Sequence, residues 1–416
     1  MISVVQETQF FNGIDPEQLA GEFGTPLYVY NESVLRSRMR EVAGMVTKYP
    51  YTANYSIKAN SNPAILKIAL EEGLNCDAMS VGELRLLEMV NFPDERIFFV
   101  PNNVSDDEMR YAVEHGIMVS LDSLDQLNRF GELFTGAECS VRINPGVGAG
   151  HHKKVVTAGK DTKFAVALDD VKAVHEIAAR HGLKIVGVNQ HVGSQFMTTG
   201  PYILAVQNLL EAAKGFRDLK FIDFGGGLGI PYHKLDNEEP FPIGALHDEL
   251  EKVLDAFVAD YGYAPLFKSE PGRYCVAESS VILGRAYARK SNAGVKYLGT
   301  DIGMNVLARP SLYDSWHDIE ILRNGRSVTD GETEVITVTG NICESGDVLA
   351  RDRTLPVSKD GDLVCVLDAG AYGYSMSYTY NTRPRPAEVL ICGDGSYRLI
   401  RRRETFEDLV SLTRGL

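Results

Sequence analysis

The chain of 416 residues lacks any apolar run approaching the roughly 20 residues that a membrane-spanning helix requires. Its first residues, MISVVQETQFFNGIDPEQ, have neither the basic start nor the continuous apolar stretch of a signal peptide. The six cysteines are scattered without a C-x-x-C pair, which is typical of reduced cytosolic thiols in a chain this long. These absences predict a cytoplasmic protein without a membrane segment.

Basic residues are also scarce relative to acidic ones. The chain has 42 lysines and arginines against 56 aspartates and glutamates, a formal net charge of −14 at pH 7. Because a surface of this sign repels phosphate backbones and anionic lipids, we expect neither a nucleic-acid partner nor a membrane partner. The apolar content of 44% and the charged content of 24% are those of a globular protein, and the length favours two domains.

Short β-branched runs alternate with amphipathic helical patterns over the first two thirds of the chain. The segment DDVKAVHEIAARHG, for example, begins with two acidic residues and ends at Gly182, which are ordinary helix start and stop signals. Eight strands alternating with helices predict an α/β fold class and a (β/α)8 barrel. The predicted strands are residues 51–57, 75–78, 96–100, 117–121, 138–144, 184–191, 219–224 and 265–269.

The pattern changes after about Arg273. The segments EVITVTG, DLVCVLDAG and AEVLICGDGSYRLIRR predict strands joined by turns, and GDGS is a hairpin signal. Near the start, one short helix is predicted, with Asp15 as its N-cap, Pro16 at its first position and Gly24 as its stop. The predicted divisions are residues 1–30 (an N-terminal segment packing with the β domain), 31–273 (the barrel) and 274–416 (a mostly β domain).

Polar residues collect where the predicted barrel strands end. Lys58 follows the first strand, Asp77 ends the second and His191 ends the sixth. The seventh strand runs into the glycine loop GGGLG (225–229), and the eighth ends in EPGR (270–273). Because the chemistry of (β/α)8 barrels lies at the carboxyl ends of the strands, these residues are expected on one rim as the candidate site.

Each of these residues also has an ordinary structural explanation. An isolated lysine is most often a surface residue, and a single histidine is most often hydrogen-bonded in the core. Glycine-rich turns do not always bind phosphate, and EPGR can be a turn with an ion pair. The convergence on one rim favours the functional interpretation. The histidines of GHHKK (150–154) lack further ligands, so we predict a solvated loop there and no metal site.

The chemistry of the rim residues indicates a cofactor. Backbone N–H groups of a glycine loop, with an arginine nearby, suit a phosphate. A lysine at a water-poor strand end can form an imine with a carbonyl group, and an acid can hold a ring nitrogen. Phosphate, imine and acid together describe pyridoxal 5'-phosphate. A buried lysine is costly unless its charge is paired or neutralised, and covalent attachment to this cofactor would account for Lys58.

Six motifs occur in an order that resembles the fold-type III pyridoxal-phosphate-dependent decarboxylases, whose fold is alanine racemase-like. They are YSIKAN, HVGSQ, FGGGLGIPY, EPGR, CESGD and DAGAYGYSMSYTYNTRPRPAEVL, and the resemblance covers nearly the whole chain. DIGMNVLARPSLYDSWHDI and the glutamate of CESGD are more similar to the diaminopimelate decarboxylases than to the ornithine decarboxylases. The resemblance therefore implies a carboxy-lyase of lysine biosynthesis that converts meso-2,6-diaminopimelate to L-lysine and CO2.

For the cofactor, the resemblance implies that Lys58 carries it covalently, that His191 stacks on its pyridine ring and that Glu270 keeps the ring nitrogen protonated. A carboxylate at that nitrogen fits decarboxylation, because the protonated ring is the stronger electron sink. The further cofactor contacts that we expect are Asp77, Ser194, Gly226, Gly227, Gly272, Arg273 and Tyr372, of which Arg273 and Tyr372 also contact the substrate.

For the substrate, the resemblance implies that Arg273, Arg309 and Tyr313 bind its distal carboxylate. Two arginines make sense if the substrate has a second carboxylate, since arginine pairs with carboxylates strongly and directionally. Glu344 would bind the distal ammonium, and Cys343 would donate a proton after CO2 leaves. The resemblance places Cys343 and Glu344 in the active site of the partner subunit, which implies an obligate homodimer whose β domain supplies substrate and dimer contacts.

The segment LARPSLY separates Arg309 and Tyr313 by four residues. A helical turn after Pro310 would place both side chains on one face, where they can converge on one group. The alternative is that Arg309 pairs with a nearby acid, either Asp314 or Asp318.

Two other functions stay open. One is a related decarboxylase that acts on another amino acid or on a carboxylated polyamine. The other is a catalytically inactive regulatory homologue, which the presence of Lys58 and Cys343 disfavours. Three positions differ from the family pattern: Ala165 stands where glycine is usual, and Tyr274 and Tyr378 stand where serine is common.

Overall fold

The structure, a computed structural model, describes residues 2–146, 158 and 162–413, together with the backbone of residues 149 and 150. The chain divides into two compact units. The barrel unit contains Arg38–Ile230 and Pro240–Cys275, and the β unit contains Met1–Ser37, Pro231–Glu239 and Val276–Leu416. In the described part of the chain, no helix has both the length and the apolar character needed to cross a bilayer.

The barrel unit contains a closed sheet of eight parallel strands, which confirms the predicted fold class. Each strand pairs with its neighbours in chain order, and pairing between the fourth and fifth strands belongs to the same closed ring. The ring closes between the first and the eighth strands. The strands are Tyr51–Ser56, Asn75–Ala78, Ile97–Phe99, Met118–Leu121, Glu138–Asn144, Lys184–Asn189, Phe221–Asp223 and Leu266–Ser269. A short strand, Val166–Ala167, adds to the fifth.

The barrel helices begin and end at the signals expected from the sequence. Ser80, Ser105 and Ser123 are N-caps whose side chains accept backbone N–H bonds from the first turn of their helices. Gly182 ends its helix in the left-handed conformation, as predicted. The helices are Glu32–Ala43, Pro63–Glu71, Val81–Met89, Asp106–Glu114, Leu124–Leu133, Val171–His181, Gly200–Ala213, Ile243–Tyr261 and Arg273–Val276.

The barrel unit packs aromatic side chains next to a largely buried lysine, Lys268. Phe98, Val100 and Phe221 form one buried apolar cluster. The Lys268 ammonium lies 4.2 Å from the centre of the Phe221 ring, a cation–π distance. Burial lowers the pKa of Lys268, while the charge of Asp223 opposes that shift. The ring and the carboxylate thus offset part of the cost of burying the Lys268 charge.

The β unit is built on a sheet of ten strands. Its central strand, Ser280–Asn292, pairs with Leu27–Asn31 on one side and with Leu363–Val366 on the other. Its apolar residues pack into one core that includes Leu27, Val281, Leu363 and Val389. The remaining strands are Val295–Thr300, Ile319–Arg323, Arg326–Ser327, Thr333–Thr339, Val348–Pro356, Ala387–Ile391 and Tyr397–Arg401, and the α-helices after residue 300 are Arg309–Tyr313 and Phe406–Val410.

Local signals in the β unit are confirmed with one correction. The helix Pro16–Phe23 has Asp15 as its N-cap and ends at Gly24, and the GDGS segment joins two antiparallel strands. The prediction of a single helix in the opening segment was wrong, because a second helix, Val4–Glu7, precedes it. That helix is only one turn long, too short for a periodic pattern to appear in the sequence, and its Ser3 cap accepts the Gln6 N–H.

The two units also depart from the divisions drawn from the sequence. The β unit extends to Ser37 instead of residue 30, and it includes Pro231–Glu239, which the sequence assigned to the barrel. The strand Leu27–Asn31 explains the first difference, since it pairs in the β sheet and carries the start of the next helix with it. Contacts made by the loop 231–239, described below, explain the second.

Candidate active site

Lys58 lies in a 3₁₀ turn, Ile57–Ala59, directly after the first barrel strand. Two hydrogen bonds fix this turn. The Tyr55 hydroxyl donates to the Asn60 carbonyl oxygen at 2.8 Å, and the Ser56 N–H donates to the Pro271 carbonyl oxygen at 3.2 Å. The lysine side chain is partly buried. The turn therefore holds Lys58 at the carboxyl rim, where the sequence predicted it.

Lys58 interacts electrostatically with two buried carboxyl groups, those of Asp77 and Glu270. Burial raises the pKa of both groups, and the positive charge of Lys58 opposes this increase without cancelling it. Asp77 accepts a hydrogen bond from the Ser56 hydroxyl at 2.9 Å. Asp77 Oδ1 and Glu270 Oε1 are buried and have no hydrogen-bond partner among the residues that the structure describes. Such buried acceptors are costly unless a further donor reaches them.

His191 follows the sixth barrel strand and accepts the Gly226 N–H at its Nδ1 atom, at 3.4 Å. A nitrogen that accepts a hydrogen bond carries no proton, so this bond requires an unprotonated Nδ1. Burial lowers the pKa of His191, and the charges of Lys58 and Arg142 lower it further. The imidazole is therefore neutral at pH 7. A neutral, flat ring at this position is suited to stack on another ring.

The glycine loop passes too close to other backbone for side chains. A Cβ atom on Gly225 would overlap the Gln190 carbonyl oxygen, and one on Gly226 would overlap the Glu270 carbonyl oxygen. Gly227 adopts a φ of 119°, which residues with side chains rarely adopt. The three glycines thus bring bare backbone next to His191 and Glu270, an arrangement suited to binding a phosphate.

Arg273 joins the rim from the EPGR segment. Its guanidinium donates to the Ser194 hydroxyl oxygen at 2.9 Å, and its side chain is buried. Gly272 lies against the first turn, where an added Cβ would come within 3.1 Å of the Cβ atoms of Ser56 and Ala59. The EPGR segment therefore packs directly under the Lys58 turn. Of the predicted site residues, those that the barrel unit brings to its rim are Lys58, Asp77, His191, Ser194, Gly226, Gly227, Glu270, Gly272 and Arg273.

Arg142 is a rim charge that the sequence analysis missed. It lies in the fifth barrel strand, is buried, and stacks over the Phe164 ring at 4.9 Å. Burial lowers its pKa, whereas the charges of Glu270, Asp122 and Asp77 raise it. Its Nε atom has no hydrogen-bond partner within the described residues. The signal was available, since an arginine in the buried strand ECSVRIN needs a reason.

In the β unit, Arg309 and Tyr313 lie on one helical turn, Arg309–Tyr313, as predicted. Arg309 is among the largest fully buried side chains and donates to His317 Nε2 at 2.7 Å. The Asp318 carboxylate, one of the two acids considered as its partner, instead accepts the Leu235 N–H and the Trp316 indole N–H. One observed partner of Arg309 is thus the Nε2 atom of His317.

Cys343 and Glu344 lie in an exposed loop of the β unit that contacts the segment YTYNT. The Cys343 N–H donates to Asn381 Oδ1 at 3.0 Å, and the Asn381 amide donates to the Cys343 sulfur at 3.1 Å. The Tyr380 hydroxyl donates to the Glu344 carboxylate at 3.3 Å. The loop therefore presents a thiol and a carboxylate side by side. Tyr372, the remaining candidate, has a φ of 56°, which is uncommon for a tyrosine.

Of the three positions that differ from the family pattern, only Tyr274 has a local explanation. Ala165 adopts a φ of 70°, in the left-handed region where glycine is free of strain. The Tyr274 hydroxyl donates to the Glu41 carboxylate at 2.6 Å, and its ring contacts the Arg38 guanidinium. Tyr274 is therefore part of the barrel packing. Tyr378 is half-buried, and nothing in the structure explains its choice. The histidines of GHHKK lie outside the described residues.

Comparisons with known proteins agree with this geometry. Residues 33–277 match the family model described as pyridoxal-dependent decarboxylase, pyridoxal binding domain. The diaminopimelate decarboxylase of Methanothermobacter thermautotrophicus is 40% identical over 96% of this chain and 94% of its own. The chain belongs to the diaminopimelate decarboxylase family of pyridoxal-dependent decarboxylases. The relative from Archaeoglobus fulgidus is 35% identical over 97% of this chain and 96% of its own.

Solved structures give the same result. The diaminopimelate decarboxylase from Helicobacter pylori, crystallised with L-lysine, has a TM-score of 0.87 and 31% identity, covering 96% of this chain and 100% of that one. A lysine/ornithine decarboxylase from Vibrio vulnificus has a TM-score of 0.78 but only 21% identity, covering 94% and 99%. At that identity the likeness shows the shared fold alone.

The barrel rim fits pyridoxal phosphate, the cofactor of this family. The orphaned Glu270 Oε1 is an acceptor that a protonated ring nitrogen would satisfy. The glycine loop leaves no room for side chains and offers its backbone to a phosphate. Lys58 would supply the amine. The donor set therefore matches the three parts of the cofactor, namely its phosphate, its ring nitrogen and its carbonyl carbon.

We expect Gly226→Ala to weaken pyridoxal phosphate binding and to lower the free energy of unfolding. The added methyl group would displace the Glu270 carbonyl. Overpacking of this kind costs about 1–3 kcal/mol. Gly244→Ala is the matched control, since Gly244 has nothing within 4 Å of the added Cβ. Urea unfolding and a cofactor titration followed by absorbance measure both effects. Equal behaviour of the two variants would contradict the close-approach argument.

Proposed function

We propose that the protein removes CO2 from meso-2,6-diaminopimelate and releases L-lysine, using pyridoxal phosphate. The observation that carries the proposal is the rim group of Lys58, Asp77 and Glu270 beside the glycine loop. It is supported by full-length relatives that bear the name diaminopimelate decarboxylase. Incubating the protein with pyridoxal phosphate and meso-diaminopimelate, and measuring lysine and CO2, tests it directly.

Each rim residue has a role in the proposal. When bound here, pyridoxal phosphate would supply an electron sink for the pair that the departing CO2 leaves on the α-carbon. Lys58 would hold the cofactor covalently until the substrate amine displaces it. Glu270 would hold the proton on the ring nitrogen, and the neutral His191 would lie against the ring. The residues that would hold the phosphate are Ser194, Gly226, Gly227, Gly272, Arg273 and Tyr372, and Asp77 and Arg142 would balance the charge of the site.

The proposed substrate contacts distinguish a dicarboxylate from a simple diamino acid. Arg273, Arg309 and Tyr313 would bind the distal carboxylate, and Tyr372 would line the same site. Glu344 would bind the distal ammonium group. An arginine fork pairs with a carboxylate through two parallel hydrogen bonds, which gives direction as well as strength. L-Lysine lacks this carboxylate, so the same contacts would favour the substrate over the product.

Cys343 is proposed as the proton donor in the active site of a second copy of the chain. After CO2 leaves, its S–H bond would break and a C–H bond would form at the α-carbon. The exposure of Cys343 supports this role, since an exposed thiol on a loop can reach another subunit. Glu344, its neighbour, would act in the same site. This makes the functional form a homodimer.

The reduced, scattered cysteines also support a cytoplasmic location.

Two alternatives are separated by the same assay. A related decarboxylase would release CO2 from another amino acid or from a carboxylated polyamine, and a panel of such substrates reveals it. An inactive regulatory homologue would release none, although it could still bind the cofactor. The substrate panel is therefore run with ornithine, arginine, lysine and carboxylated spermidine precursors beside meso-diaminopimelate.

We expect Lys58→Ala to abolish turnover and covalent cofactor attachment, because the cofactor carbonyl needs an amine at this position. Borohydride reduction of the wild-type holoprotein, followed by peptide mapping, locates the attachment. Lys268 is the internal comparison, since burial lowers the pKa of this second barrel lysine, which favours its reactive neutral form. An adduct on Lys268 or on any lysine other than Lys58 would refute the assignment.

We expect Arg309→Ala to lower kcat/KM for meso-diaminopimelate by roughly 10- to 200-fold. A charged hydrogen bond lost from a buried site is worth about 1.5–3 kcal/mol, which gives this factor. The slow decarboxylation of L-lysine should barely change, because L-lysine has no distal carboxylate. Steady-state kinetics on both substrates measure the ratio. If both rates fall by the same factor, Arg309 has a structural role only.

We expect partial activity when inactive Lys58→Ala and inactive Cys343→Ala proteins are mixed. A mixed dimer would contain one complete site, with Lys58 from one chain and Cys343 from the other. Native mass spectrometry on isotope-labelled proteins establishes that subunits exchange. Exchange without any recovery of activity would show that each site is built within a single chain.

A further inference from the structure

His317 is a buried histidine of the β unit, and both of its ring nitrogens make short contacts. Nδ1 lies 2.7 Å from the Leu367 carbonyl oxygen, and Nε2 lies 2.7 Å from a terminal nitrogen of Arg309. Only 1% of the residue is exposed. It lies four residues after Tyr313, within the segment DIGMNVLARPSLYDSWHDI, where the sequence analysis gave it no role. Because His317 contacts Arg309 directly, its role is best sought in what it does to that arginine.

The two contacts fix the protonation state of the ring. A carbonyl oxygen only accepts hydrogen bonds, so Nδ1 of His317 must carry the proton and donate it to Leu367. A guanidinium only donates, so Nε2 must offer its lone pair to Arg309. His317 is therefore neutral, with a single tautomer. This arrangement binds one edge of the guanidinium and leaves its positive charge intact.

One face of the guanidinium lies over the ring of Tyr232. The Arg309 guanidinium carbon lies 4.7 Å from the centre of the Tyr232 ring, and that ring meets His317 edge-on at 5.2 Å. Tyr232 belongs to the loop Pro231–Glu239, which is the part of the β unit that follows the glycine loop in sequence. The three side chains form one packed group.

The loop that carries Tyr232 is itself anchored in the β unit. The Lys234 ammonium pairs with Asp368 at 2.5 Å and with Glu278 at 2.9 Å. The Leu235 N–H donates to the Asp318 carboxylate at 2.9 Å. Asp368 directly follows Leu367, whose carbonyl oxygen accepts the hydrogen bond from His317. The Tyr232 loop and the His317 ring are therefore both bound to the same pair of adjacent residues.

We infer that His317 is a positioning residue that aims the Arg309 fork at the distal carboxylate of the substrate and so contributes to selectivity for dicarboxylates. The inference rests on the proposed function, in which Arg309 binds that carboxylate. A guanidinium carries five N–H donors, and the His317 contact uses one. An acid in place of His317 would neutralise the charge and compete with the substrate. A neutral acceptor orients the arginine and preserves its attraction for a carboxylate.

The test compares two replacements of His317 in the holoenzyme. His317→Gln keeps an acceptor for Arg309 and a donor for Leu367, whereas His317→Phe keeps the ring volume and has neither. We expect His317→Phe to lower kcat/KM for meso-diaminopimelate about 10-fold or more, mainly through KM, with little change for L-lysine. We expect His317→Gln to recover most of this loss. Calorimetry in the Lys58→Ala background, which cannot turn over, measures the substrate Kd separately.

A double-mutant cycle separates orientation from general packing. If His317 acts through Arg309, the double variant His317→Phe/Arg309→Ala should be no worse than Arg309→Ala alone. Fully additive losses, or equal losses on both substrates with His317→Phe, would overturn the inference while leaving the carboxylate role of Arg309 in place. A loss of selectivity with His317→Phe but not with Arg309→Ala would instead overturn the proposed role of Arg309, and the inference with it.

The melting temperature of each variant shows whether a loss of activity comes from a folding defect. Should His317→Phe fail to fold, Tyr232→Leu serves as the second variant, because it removes the stacked ring and leaves the His317 hydrogen bond. It should shift the ratio of the two kcat/KM values in the same direction as His317→Phe. An unchanged ratio for Tyr232→Leu, in a protein that folds and melts at the normal temperature, would contradict orientation of Arg309 by this packed group.

Discussion

The barrel rim depends on one electrostatic constraint, the placement of the Lys58 ammonium near two buried carboxyl groups. Burial raises the pKa of both Asp77 and Glu270, because it disfavours their charged forms. Lys58 opposes this shift at both, and Arg142 does so at Glu270. The cations therefore reduce the cost of burying the carboxylates, so we expect a change at Lys58 to alter the protonation of both acids.

The second constraint is steric. The glycine loop, the EPGR segment and the turn after the first strand approach so closely that Gly226 and Gly272 have little or no room for a side chain. The close approach brings backbone N–H groups, a carboxylate and an amine to one rim. It also explains the neutral state of His191, whose Nδ1 accepts from the same loop. Packing and chemistry are thus set by the same few contacts.

The sequence predicted the repetitive parts of the fold well. All eight barrel strands are found where expected, because each is a short apolar run bounded by turn residues. Arg142 was missed because strand periodicity says which face a residue occupies, not which charges it meets there. The sequence assigned the loop 231–239 to the barrel, whereas the structure places it in the β unit. Its unit is decided by contacts with residues far along the chain, such as Asp368, which local patterns do not reveal.

What the sequence by itself determined was the order of elements, the rim residues and the family, since these follow from local patterns and from motifs. What only the tertiary structure decided was the partner of Arg309. Local reasoning offered Asp314 and Asp318, both within a few residues, but Asp318 is engaged by Leu235 and Trp316. The contact that the structure shows is with His317, whose tautomer is set by the Leu367 carbonyl 50 residues away. No local pattern encodes a contact of that separation, because only folding brings its two ends together.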